Sequence, residues 1–192
     1  MALGANALAI TANNMVRVGA NTVTSIGGQV GWTTMSDART KINVKENVAG
    51  LNFILGLRPV TYHYDRKKEN ELLGMKDDSL DYEWKHEMEK IQFSGFLAQE
   101  VEAAAKQIGY NFSGVDKTGD VYGLRYSDFV VPIVKAMQEQ QAIIEKQQTT
   151  IESKNKELTE LKAKFEQQQA KYEQQEARMQ RIEKYLELKV SK

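Results

Sequence analysis

Ser36-Asp37-Ala38-Arg39-Thr40-Lys41 stands where the chain changes character. The 35 residues before it carry one charge, Arg17, whereas the chain after it is densely charged. A serine and a lysine can perform acyl transfer without histidine. The hydroxyl is a poor nucleophile until a base takes its proton, and a lysine becomes that base when its ammonium is desolvated. Backbone amides or a helix start can then hold the oxyanion. Residues five apart do not share a helix face, where a spacing of three or four is needed. On a straight strand they point to opposite faces. Ser36 and Lys41 therefore meet only across a turn or across a subunit boundary. On spacing alone, a turn or cap serine beside a surface lysine is the better explanation of the pair.

Upstream, residues 1–35 hold short apolar runs divided by turn residues. Leu8-Ala9-Ile10, Met15-Val16-Arg17-Val18 and Val23-Thr24-Ser25-Ile26 are separated by Asn13-Asn14, Gly19-Ala20-Asn21 and Gly27-Gly28. This strand-and-turn pattern predicts the end of a repetitive β-fibre whose neighbours complete it; the alternative is a floppy tail, since lone short strands persist poorly.

Downstream, residues 36–132 read as a small globular α+β domain. Val48, Leu51, Ile54 and Leu55 fall at helical spacing before Arg58-Pro59. Val60, Tyr62 and Tyr64 alternate as on a half-buried strand, and Phe93 to Leu97 forms a second. Gln99 to Ile108 reads as a helix stopped by Gly109. Asn111 to Val115 and Val121 to Leu124 flank a hairpin turn. Within this domain, 65–90 is highly charged and carries isolated Leu72, Leu73, Tyr82 and Trp84. An excursion this long is unusual inside a compact domain. It reads as a solvated loop or as an extended arm gripping another segment.

Residues 133–192 contain no Gly and no Pro. A 4-3 spacing places Met137, Ile144, Ile151, Leu158, Phe165, Tyr172, Met179 and Leu186 in one register. The partner register holds Ile133, Gln140, Gln147, Lys154, Leu161, Gln168, Gln175, Ile182 and Lys189, of which three are apolar. This is a coiled coil with one apolar and one polar seam. Its aromatic residues and repeated Gln favour three helices over two, and a lone helix leaves the stripe uncovered.

Composition narrows the function classes. The 26 basic and 26 acidic residues balance, so no nucleic-acid or anionic-membrane partner is expected. No apolar run approaches a membrane span, and the start lacks the basic region of a secretory signal. Cysteine is absent and only two histidines, His63 and His86, are present. No metal, cofactor or histidine-based triad is expected.

Ser36-Asp37-x-Arg39-x-Lys41 resembles the opening of the self-cleaving intramolecular chaperone domain at the C-terminus of phage endosialidases, tail fibres and tailspikes. The resemblance continues through Leu57-Arg58-Pro59-Val60-Thr61-Tyr62, Gly95-Phe96-Leu97-Ala98-Gln99-Glu100-Val101-Glu102 and Tyr126-Ser127-Asp128-Phe129-Val130-Val131-Pro132-Ile133-Val134-Lys135-Ala136. It implies a homotrimer that guides folding of an upstream β-fibre of the same polypeptide and then releases itself during assembly. It further implies Ser36 as nucleophile, Lys41 as general base, Met35–Ser36 as the scissile bond, and Asp37 and Arg39 as orienting residues. Ala38 and Thr40 fall at variable positions. The family's setting is a virion tail fibre or a bacterial surface. The alternative expectation is a non-cleaving trimerisation and tip module of the same fold. A related domain also trimerises membrane-anchored transcription factors, but no basic DNA-binding segment or membrane span is read in this sequence.

Overall fold

The computed structural model describes residues 2–3, 13–19, 23, 25–74 and 89–190. The chain is mixed α+β and divides into two compact units, Met1–Glu139 and Gln140–Lys192.

In the first unit, β1 (Ala2–Leu3) pairs in parallel with β2 (Arg17–Val18), and the Gly19 N–H extends the pairing to the Leu3 carbonyl. The strand expected at 23–26 is not formed at its described residues, Val23, Ser25 and Ile26. A short apolar run needs a backbone partner to hold it extended, and none of the described residues supplies one. The run at residues 8–10 lies outside the described residues.

The domain proper opens with a 3-10 turn, Ala38–Thr40. Helix α1 (Leu51–Leu55) follows, ended by Gly56 before Pro59 forces extended backbone on its neighbour. Strand β3 (Val60–Tyr62) pairs antiparallel with β4 (Phe93–Gly95), setting Val60 opposite Gly95 and Tyr62 opposite Phe93. Between them, α2 (Arg66–Leu72) starts on Asp65, whose side chain accepts the Lys68 N–H. Part of the predicted excursion is thus helix, and the buried Arg66 lies over the Tyr64 ring and pairs with Glu69. Tyr82 and Trp84, expected on an arm, lie outside the described residues.

Helix α3 (Ala98–Gln107) ends where Gly109 takes a left-handed φ of 66°, which lets the Tyr110 N–H reach back to the Ala105 carbonyl. A two-residue ladder joins β5 (Val115–Asp116) to β6 (Gly123–Leu124). A second 3-10 turn, Tyr126–Phe129, leads into α4 (Val130–Val190). Pro132 fits because the first helical turn leaves its N–H groups without intrahelical partners.

Aromatic rings make the core. Phe53 is fully buried, with the rings of Tyr110 and Phe112 at centroid distances of 5.2 and 4.9 Å and Phe129 at 6.5 Å. Val101 and Ala105 close it from α3 because their spacing of four puts them on one helix face. Among the described residues of this unit the buried core is small, centred on five side chains.

The first turns of α4 are tied to α1. Glu139 Oε2 accepts the Leu51 N–H at 2.7 Å. Gly50 makes this approach possible: a Cβ there would lie 2.6 Å from Glu139 Oε2, 2.8 Å from Lys135 Cγ and 2.9 Å from the Ala136 backbone nitrogen. The helix backbone cannot yield as a side chain does. Gly50→Ala is therefore expected to destabilise the first unit by about 1–3 kcal/mol, as overpacking does. Urea unfolding followed by Tyr and Trp fluorescence measures it, and an unchanged midpoint contradicts the close-approach argument.

In the second unit, α4 continues as a regular helix. Its apolar register is uncovered in the single chain: Phe165, Tyr172 and Met179 are all more than 60% exposed. Intrahelical polar contacts such as Gln141–Glu145, Gln148–Glu152 and Lys154–Glu157 support it locally.

Candidate active site

The 3-10 turn is built by its own side chains. Asp37 precedes it in extended conformation, and its carboxylate accepts the Arg39 backbone N–H at 2.9 Å. The same carboxylate takes the Arg39 guanidinium through Nε at 3.0 Å and one terminal nitrogen at 2.6 Å. At the far end of the turn, the Asp37 carbonyl accepts two bonds from Thr40, from the backbone N–H at 3.1 Å and from the hydroxyl at 2.7 Å. The Lys41 N–H closes on the Ala38 carbonyl.

This reversal folds the lysine back over the serine. Lys41 Nζ donates to Ser36 Oγ at 2.7 Å. The two residues meet across one turn, within one chain. The Asp37 carboxylate is engaged by Arg39, and the Lys41 ammonium bonds the Ser36 hydroxyl. The guanidinium and the Arg39 backbone N–H hold the Asp37 carboxyl below the usual carboxylate value, and Asp37 in turn raises Arg39. The pair stays ionised through neutral pH and sits in full solvent, so its value is geometric.

Met35 precedes this pair and is 80% exposed. Ser36 and Lys41 are exposed as well. On either side runs uncovered apolar surface: Val30 and Trp32 before the turn, Ile42 and Val44 after it. Two further features position the chain here without having been singled out by sequence. Asn43 adopts a left-handed φ of 53°, which Asn tolerates better than most residues. The Thr40 hydroxyl, at a motif position read as variable, fastens the turn. A Thr three residues after Asp at the edge of a short turn is the only signal the sequence carried for that contact. Among the described residues no group of acidic, His or Cys side chains is arranged to hold a metal.

Residues 36–110 match the family model described as the chaperone of endosialidase. That segment is a domain of the chaperone-of-endosialidase family. The match begins on Ser36 itself, the residue that opens the turn. The Tyr126–Ala136 block lies beyond the matched range. No curated protein and no solved structure matches the chain significantly. The family is one of intramolecular chaperones with serine autopeptidase activity, typically trimeric and found in phage tail fibres. Among the described residues, no helix is long and apolar enough to cross a membrane.

Proposed function

We propose that this chain is a self-releasing folding chaperone that cuts its own Met35–Ser36 bond with Ser36 as nucleophile and Lys41 as base. The observation that carries the reading is the 2.7 Å contact between Lys41 Nζ and Ser36 Oγ. In the contact as it stands, lysine donates. Base catalysis uses the reverse polarity, with a neutral amine accepting the hydroxyl proton.

The reaction balances within the chain. Ser36 Oγ attacks the Met35 carbonyl carbon while Lys41 takes the hydroxyl proton. Lys41 then returns that proton to the Ser36 amide nitrogen as the C–N bond breaks. The result is an ester between Met35 and Ser36 Oγ, with a free Ser36 amine. Water hydrolyses the ester to a Met35 carboxylate. Because nucleophile and scissile bond belong to adjacent residues, proximity supplies what substrate binding would otherwise supply.

Lys41 works as a base only when water is withdrawn from it. It is exposed in the single chain. The proposal assigns that dehydration to neighbouring subunits closing over the uncovered strip of Val30, Trp32, Ile42 and Val44. Cleavage then follows assembly, as a chaperone of an upstream β-fibre requires. Charges beside the α4 seams support a parallel, in-register homotrimer. Taking Met137 as position a, each g residue faces the e residue five places on in the neighbouring helix. This pairs Glu157 with Lys162, Lys171 with Glu176, and Arg178 with Glu183, and it brings no like charges together. The upstream fibre belongs, on this reading, to a virion tail or a bacterial surface.

Comparison of wild type with Ser36→Ala on a denaturing gel tests the reading. Wild type is expected to give 35-residue and 157-residue pieces, and Ser36→Ala a full-length 192-residue chain that still assembles. Intact wild-type chains in a folded trimer would favour the non-cleaving tip module instead.

A further inference from the structure

The structure assigns Thr40 a role in self-cleavage: we infer that it is a positioning residue whose hydroxyl holds Lys41 on Ser36. This rests on the Ser36–Lys41 reading above. The turn between the two has two fasteners. At its start, Asp37 and Arg39 clasp each other through the carboxylate and guanidinium. At its end, the Asp37 carbonyl is held by Thr40, through both the backbone N–H and the hydroxyl. The hydroxyl bond is the shorter of the two, at 2.7 Å against 3.1 Å.

The two fasteners govern different things. The Asp37–Arg39 clasp fixes where the turn begins. The Thr40 hydroxyl ties the residue before Lys41 to the residue after Ser36. It therefore spans the segment whose length sets the Nζ–Oγ distance. Among the described residues, the Lys41–Ser36 contact is the other side-chain link between the two ends of this turn. An isolated 3-10 turn of three residues is weakly favoured, because its hydrogen-bond geometry is poor and few bonds offset the fixed dihedrals. A side-chain bond back onto the carbonyl three residues earlier raises the population of the closed turn. The turn is fully exposed, so it gains little from packing.

Thr40→Val removes the hydroxyl and keeps the β-branched shape. Thr40→Ser keeps the hydroxyl. Neither side chain is buried, so neither change disturbs the core. From the ordinary net worth of one hydrogen bond, Thr40→Val is expected to slow self-cleavage by about threefold to tenfold. Thr40→Ser should restore the rate to within about twofold of wild type, by the same reasoning.

The experiment follows cleavage of the full chain in pulse-labelled, freshly translated protein, with trimer formation and thermal midpoint recorded for each variant. The proposal expects Thr40→Val to be slow, Thr40→Ser to be rescued, and all assembled proteins to melt together. A general structural role for Thr40 would lower the melting point of Thr40→Val along with its rate, and that result overturns the proposal. So does wild-type cleavage by Thr40→Val, or a Thr40→Ser as slow as Thr40→Val. If wild type itself never cleaves, the Ser36–Lys41 reading falls, and the role of Thr40 falls with it. If wild type cleaves and Thr40→Val keeps pace, only the role of Thr40 falls.

Discussion

A Phe53→Ala chain is expected to lose the folded first unit. Phe53 is fully buried and touches three other rings, so it is the centre through which α1, the α3–β5 connection and the turn before α4 are held together. Truncating a buried Phe costs about 3–5 kcal/mol through lost transfer energy and the cavity left behind. Small domains have about 5–15 kcal/mol to lose. Urea unfolding of Phe53→Ala should begin in the absence of denaturant or nearly so, with near-ultraviolet circular dichroism largely lost. Far-ultraviolet helix signal should persist better, since much of α4 lies outside this unit. A Phe53→Ala protein with a wild-type midpoint would show that the aromatic cluster is not the core.

Removing the base has the second large effect. Lys41→Met keeps much of the stem's length and apolar character but cannot take a proton. General-base catalysis is worth about 10²–10⁴ in rate. Lys41→Met should accordingly accumulate as uncut chains over a time in which wild type is fully processed. Lys41 is exposed, its ammonium's described partner is the Ser36 hydroxyl, and its backbone bond to Ala38 is untouched by the substitution, so assembly and thermal midpoint should match wild type. Rapid cleavage by Lys41→Met would remove lysine from the mechanism. Slow cleavage accompanied by failed assembly would make Lys41 a structural residue.

The sequence was most legible where local chemistry and tertiary packing agree. Gly109 stops α3 because it alone takes the left-handed turn easily, and the alternation of Val60 and Tyr62 matches the strand they form. The long 4-3 repeat without Gly or Pro reads directly as α4. It was least legible where a partner decides the outcome. Val23 to Ile26 carry strand-forming residues, yet no strand forms at the described ones, and no described residue pairs with them. The excursion at 65–90 hid a helix because α2 owes its start to one Asp65 cap and its anchoring to the Tyr64–Arg66–Glu69 contacts, none of which has a periodic signature.

The site followed the same division. Ser36 and Lys41 could be named from the ordered family blocks, although a spacing of five fits no regular element. What brings them together is a three-residue turn whose stability lies in side-chain bonds to its own backbone. Asp37 and Arg39 were expected to pair or to fix the turn, and their side-chain and backbone contacts are those seen. The Thr40 bond was not readable, because a Thr at that spacing is common and only its rotamer brings its hydroxyl onto the Asp37 carbonyl. The extent of exposed apolar surface around the turn was equally unreadable. A run of hydrophobic residues looks the same in sequence whether its own chain covers it or leaves it open.

The most direct test of self-cleavage is the identity of the new N-terminus. Freshly expressed wild-type protein should be separated under denaturing conditions and the large fragment sequenced from its amino end. Cleavage at Met35–Ser36 predicts a fragment beginning Ser36-Asp37-Ala38-Arg39, accompanied by a small fragment ending in a Met35 carboxylate. A large fragment that begins anywhere else, or the same fragment arising from Ser36→Ala, would contradict the assignment of Ser36 as the residue that makes the cut.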